Sequence, residues 1–215
     1  MSNSKHGHKH SKHKHVNGHD KKRRHHEHED FKTVHKDCAH GVHGIISVVK
    51  RDSDGKLIIW KRPRTRSYVH QESFQQEIKK SKSWRKFGVS QVKVCWHPDK
   101  QSLLKTYVKG KTLKQTLEHD HKFFSKKKSK SVEALGRLVR LLIDSKHYIQ
   151  DVNRQNLIFD GNNWHIIDSS VIHGKTTRSD TRQRYKKAFL KSWSKSLSSD
   201  NEIDDLKSFI GKYCC

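Results

Sequence analysis

An aspartate and an asparagine five residues apart, Asp151 and Asn156, stand directly before two short apolar runs, 157–159 and 164–167. Asp160-Gly161-Asn162-Asn163 joins the runs, so the pattern reads as a β-hairpin with a turn-prone loop. A second acid, Asp168, closes it. The order acid, amide, hairpin, acid suits metal-assisted phosphoryl transfer. One carboxylate orients an attacking hydroxyl, while the amide and the second carboxylate hold Mg²⁺ against nucleotide phosphates. D-x-x-x-x-N alone is common, and an ordinary polar turn explains this stretch equally well, so the rest of the chain must decide.

Upstream, Gly41-Val42-His43-Gly44 precedes the apolar run 45–49, a pattern that suits a tight turn before a strand. A turn at Arg51–Gly55 leads into Leu57-Ile58-Ile59-Trp60-Lys61, a strand that ends on a lysine. Residues 67–84 form a candidate helix carrying Glu72 and Glu77. Partial alternation over 89–96 and the run 102–108 predict two further strands, and 112–119 predicts a short helix. The basic run 122–130 reads as solvated. Val132, Leu135, Leu138, Val139, Leu142 and Ile143 then recur at helical spacing, predicting a buried helix that feeds the Asp151 stretch. Beyond Asp168, helices are predicted near 184–197 and 202–213.

Taken in order, these pieces resemble the protein-kinase superfamily. Gly41 and Gly44 match the second and third glycines of the kinase phosphate loop G-x-G-x-x-G-x-V, Ile46 matches its Val, and Ala39 replaces its first glycine. Lys61 follows at the kinase spacing, and Glu77, rather than Glu72, falls where kinases place its partner. The stretch 148–168 resembles H-R-D-x-x-x-x-N and D-F-G, with Ile149 and Gln150 for His and Arg, and Ser169-Ser170 for Phe-Gly. The resemblance covers about residues 37–172. No A-P-E motif follows, and the chain is too short for a full set of C-terminal helices. It is similar in this to compact bacterial kinase effectors and other minimal kinases, some of which share the Asn found here at 153.

The resemblance implies an α+β fold: a minimal bilobal protein-kinase-like fold with an antiparallel-sheet N-lobe over 37–108 and a reduced helical C-lobe over 109–215. It implies ATP as phosphoryl donor with Mg²⁺, or Mn²⁺ in its place. Asp151 would orient the substrate hydroxyl, Lys61 held by Glu77 would contact the α/β-phosphates, and Asn156 and Asp168 would bind the metal. The backbone of Gly41, Val42, His43, Gly44 and Ile46 would cover the phosphates, and that of Thr106 to Val108 would meet the adenine. The implied activity is an atypical protein kinase acting on serine or threonine rather than tyrosine. Gln150 lacks the group that reads a phosphorylated activation loop, so activity would not depend on that switch. A small-molecule phosphotransferase, or a pseudokinase serving as a binding module, is the alternative.

Composition bounds the partners. Residues 1–36 hold ten histidines and few apolar side chains, and are expected to be a disordered His/Lys-rich tail. Its histidine spacing fits no closed tetrahedral metal site. The formal charge is +25 over 215 residues. Such a field favours an acidic partner or anionic surface, alongside a protein substrate, but no nucleic-acid-binding motif accompanies it. Mean hydropathy is −1.03, and no apolar run reaches transmembrane length. Four cysteines without a CxxC suit a reducing compartment: the cytoplasm, or the host cytoplasm for a secreted effector. The Cys214-Cys215 ending resembles the doubly prenylated ending of Rab-type GTPases, which would allow membrane anchoring; an accidental ending is the simpler explanation.

Overall fold

The computed structural model describes residues 31–41, 44–64, 68–89, 92–168 and 172–215. The architecture is mixed α+β, with antiparallel sheets and, among the described residues, five α-helices. Strands β1 (Phe31–Gly41), β2 (Gly44–Arg51), β3 (Leu57–Arg62), β4 (Val94–Trp96) and β5 (Leu103–Thr106) form one sheet in the order β1-β2-β3-β5-β4. Helix α1 (Tyr68–Lys86) is inserted between β3 and β4 and packs on β4. Residues 31–36, assigned to the tail by their composition, belong to β1: the long β2 beside them supplies a ladder of backbone partners that composition cannot reveal. The remaining tail, 1–30, lies outside the described residues.

The strand expected from residue 89 begins only at Val94. Gly88 adopts φ +72°, its N–H reaches the Arg85 carbonyl, and the Val89 N–H reaches the Trp84 carbonyl at 3.0 Å. That is a glycine-terminated helix end in which the apolar residue just beyond the cap folds back on the last turn. Val89 is buried by α1's termination rather than by a strand.

The second half begins with β6 (Lys111–Thr112) and α2 (Leu113–His119). Thr112 and Gln115 form a reciprocal capping box that starts the helix. Next come α3 (Lys130–Asp144), β7 (His147–Ile149), the hairpin β8 (Leu157–Phe159) and β9 (Trp164–Ile166), β10 (Ile172–Lys175), α4 (Arg178–Trp193) and α5 (Asp200–Tyr213). The hairpin turn forms because the Asp160 carboxylate accepts the Asn162 and Asn163 N–H groups at 2.8 Å each, while Gly161 takes φ +98°. β6 extends the hairpin into a three-stranded sheet, and β10 pairs with β7. Helix α4 starts six residues before the apolar pattern suggests, because Thr177 caps the N–H of Asp180.

Most buried apolar side chains fall into two clusters. The smaller joins Phe74 of α1 to Val92, Val94 and Leu103. The larger gathers the apolar face of α3 with Tyr185, Phe189 and Trp193 of α4 and Leu206, Phe209 and Ile210 of α5. Phe123 and Phe124 join it as well, so the run 122–130 is solvated only in its lysines. Among the described residues no helix is long and apolar enough to cross a membrane. Cys214 lies in the larger core and burial pushes its thiol up to about 11, so of the terminal pair only Cys215 is exposed. A lipid on Cys214 would require the end of α5 to open.

Trp193 is fully buried, with Phe189 stacked 4.2 Å from its ring. Trp193→Ala is expected to cost about 3–5 kcal/mol, measured by urea denaturation.

Candidate active site

Three side chains meet in the space between β3, β5 and α1. Lys61 is the fifth residue of β3, and its Nζ donates to Glu77 Oε2 at 2.7 Å. Lys105, on β5, donates to Glu77 Oε1 at 2.6 Å. Each of the three is only 7–8 % exposed. Glu77 reaches inward from α1 on the same face as Phe74, three residues earlier, whereas Glu72 is exposed. Burial alone would raise the Glu77 carboxyl, but the charges of Lys105 and Lys61 outweigh it and hold the group down at about 2. Burial would likewise lower the Lys105 ammonium, yet Glu77 and then Asp168 hold it above its ordinary value. One buried carboxylate thus serves two buried cations, with the half-buried Asp168 adding its field.

Lys105 also ties this group to the hairpin. Its Nζ donates to the Ile167 carbonyl at 2.8 Å, immediately before Asp168. The Ile167 N–H in turn donates to the Asn156 carbonyl at 2.9 Å, and Asn156 Nδ2 donates to the Asp151 carbonyl at 3.0 Å. A continuous chain of polar contacts therefore runs from Lys61 through Glu77, Lys105 and Asn156 to the backbone of Asp151. Asp168 and Asn156 are half-buried and Asp151 is exposed. Asp151 holds φ +62°, a left-handed backbone uncommon outside glycine, which sets its side chain apart from the strand before it.

The Asp151 loop is fixed from beneath by Tyr185 of α4. The Tyr185 hydroxyl accepts the Ile149 N–H at 2.9 Å and donates to the His147 carbonyl at 3.2 Å. Ile149 itself is buried in the larger core.

The remaining expected residues are placed as follows. Gly41 faces Gly44 across the β1–β2 register; Val42 and His43 lie outside the described residues. Gly44 has a packing reason to be glycine, since a Cβ there would come within 2.7 Å of the Arg62 carbonyl oxygen and 3.2 Å of the Lys61 chain. Ile46 lies opposite Lys61 in register and is half-buried. Thr106 is exposed and its N–H is taken by the Lys93 carbonyl at 2.9 Å, while Val108 packs on the smaller cluster. Lys105 and Tyr185 are the two residues that sequence reasoning missed. For Lys105 the signal was a charge directly after two leucines, sharing Leu103's strand face. Nothing in the sequence marked the Tyr185 hydroxyl.

Asn156 and Asp168 are hard oxygen donors of the kind that hold Mg²⁺ together with substrate phosphates. The Ile167–Asn156 bond draws their two segments together. Among the described residues no group of three His, Cys, Asp or Glu that could hold a metal is found. No known family model matches the chain, and no curated protein matches it either.

The Glu77 carboxyl ordinarily titrates at 4.5 and here at about 2. Its contribution to stability is therefore full above about pH 4.5 and is lost as pH falls toward 2. Glu77→Gln is expected to flatten the decline in melting temperature across that window. It should also cost about 3–5 kcal/mol at neutral pH, because two lysines are left buried without their counter-ion. Tyr185→Phe leaves the buried Ile149 N–H unpaired, at a cost of about 1–3 kcal/mol; denaturant titration measures both.

Proposed function

We propose that the chain is an ATP-dependent kinase of minimal bilobal, protein-kinase-like design, transferring the γ-phosphoryl group to a protein serine or threonine hydroxyl. The observation that carries this reading is the buried Lys61–Glu77 contact at 2.7 Å, linked by hydrogen bonds to the segments bearing Asn156, Asp168 and Asp151. An isolated ion pair between a strand and a helix would be ordinary. One that continues into an acid, an amide and a second acid has the parts that phosphoryl transfer requires.

In this reading ATP with Mg²⁺ or Mn²⁺ supplies the phosphoryl group and the charge that draws electrons from it. The protein's own groups position and neutralise. Glu77 fixes the Lys61 ammonium so that it needs no reorganisation before meeting the α/β-phosphates. Asn156 and Asp168 present oxygen atoms to the metal. Asp151, exposed on its left-handed backbone, accepts a hydrogen bond from the acceptor hydroxyl and holds it in line. The backbone at Gly41 and Gly44 lies over the phosphates, and that from Thr106 to Val108 borders the adenine. Lys105 gives α1 a second anchor, which suits activity without a phosphorylation switch.

Incubation with γ-labelled ATP and Mg²⁺, with and without a protein lysate, tests this directly. Asp151→Ala is expected to reduce transfer by about 10²-fold or more while sparing ATP binding. Asp168→Ala should reduce both transfer and the metal-dependent part of ATP binding. Lys61→Ala should reduce both, transfer more than binding, since charge develops in the transition state. Wild-type protein that binds Mg-ATP but transfers nothing would leave a nucleotide-binding module in place of a kinase. An Asp168→Ala protein with unchanged binding and transfer would refute the assignment.

A further inference from the structure

A cleft of 680 Å³ opens between the loop 148–155 and the C-terminal half of α4. Its size falls in the range of about 300–1,000 Å³ typical of ligand sites. Asp151 lies in its wall and is the only carboxylate among the lining residues. Against it stand five basic side chains: Arg154, Arg184, Lys187, Lys191 and Lys195. Arg184, Lys187 and Lys191 recur on α4 at the spacing of one helix face, and Lys195 lies just beyond the end of that helix. Two of the five are engaged locally. Arg154 Nη1 donates to the Ser192 carbonyl at 2.7 Å, and the Arg184 guanidinium sits 5.8 Å from the centre of the Tyr148 ring. For Lys187, Lys191 and Lys195 no ion pair is found among the described residues, and all three are exposed. Like charges converging on a concave wall repel one another, and an anionic occupant relieves that repulsion.

The occupant's chemistry follows from the rest of the wall. Binding single-stranded nucleic acid calls for open aromatic faces on which bases stack. The cleft's two aromatics are unavailable for that: Tyr185 is buried, and Tyr148 packs against it at 5.1 Å under the Arg184 guanidinium. Only residues 169–177 separate Asp168 from α4, and four of them form β10, paired to β7. We infer that this cleft takes an acidic peptide segment, rich in Asp and Glu, and sets a hydroxyl beside Asp151. The inference rests on the kinase reading for the fate of that hydroxyl, but not for binding.

The test uses the full chain and fluorescein-labelled twelve-residue peptides with one central Ser, flanked by Glu and Asp, by Ala, or by Lys. Fluorescence polarisation should show salt-sensitive binding of the acidic peptide alone. Lys187→Glu/Lys191→Glu should weaken it at least about tenfold, whereas Lys127→Glu/Lys128→Glu, an equal charge change on exposed lysines elsewhere, should not. Matched melting temperatures for the two variants would exclude a folding effect. Equal weakening by both would reduce the effect to the overall field and overturn the inference. So would an oligonucleotide of equal charge that binds more tightly and is lost with Lys187→Glu/Lys191→Glu. The transfer assay separates the two readings. Equal phosphorylation of acidic and neutral peptides sinks the acidic-substrate inference and leaves the kinase. Acidic-peptide binding that depends on Lys187 and Lys191, with no transfer to any peptide, sinks the kinase and leaves the cleft.

Discussion

The site depends on one buried carboxylate shared by two ammonium groups. Among the described residues, Glu77 is the only group that joins α1 to both β3 and β5 by charge, through Lys61 at 2.7 Å and Lys105 at 2.6 Å. Burying three charges costs several kcal/mol per ion before any return, and only close geometry recovers it. Such an arrangement is a poor way to gain stability, and apolar side chains of similar volume would serve the sheet as well. What the charges provide is position: they fix a cation at the end of β3 and, through the Ile167 carbonyl, set the approach to Asp168. The half-buried Lys80, three residues beyond Glu77, senses the same carboxylates; burial, and to a lesser degree Lys61, holds its ammonium below its ordinary value even though Glu77, Asp168 and Asp151 oppose the shift.

The second constraint comes from below. Strand β7 is too short to hold a loop rigidly, and it is held because the Tyr185 hydroxyl of α4 bonds both the His147 carbonyl and the Ile149 N–H, on either side of Tyr148. The stacked ladder Tyr185, Phe189, Trp193 at four-residue spacing roots that helix in the larger core. The same helix turns its basic face toward the cleft. One helix thus anchors the Asp151 loop on one side and offers positive charge to an incoming chain on the other.

Much of this was legible in the sequence, for physical reasons. The period of α3, the Asp160–Asn163 turn and the Lys-terminated strand β3 are local patterns, and local patterns survive folding when packing agrees with them. Glu77 was separable from Glu72 only through the resemblance to kinases, which place the lysine's partner at that position. What escaped was non-local. Lys105 reads as one more lysine in a chain with 47 Lys and Arg, and only the pairing of β3 with β5 brings it to Glu77. Phe31 to Lys36 look like tail until β2 is seen beside them. Val89 reads as the start of a strand, yet after Gly88 it folds back to end α1. Of the cleft's basic residues, Arg184, Lys187 and Lys191 share helix α4, but only the fold sets them against Arg154 and Asp151.

The central claim is that Lys61, Asn156 and Asp168 together form a site for a metal-bound nucleotide. Calorimetric titration of the wild-type chain with a non-hydrolysable ATP analogue, with Mg²⁺ and with EDTA, addresses it without requiring any acceptor substrate. The account expects saturable one-to-one binding that is markedly tighter with Mg²⁺. Absence of binding, or binding of equal affinity in EDTA, would contradict it.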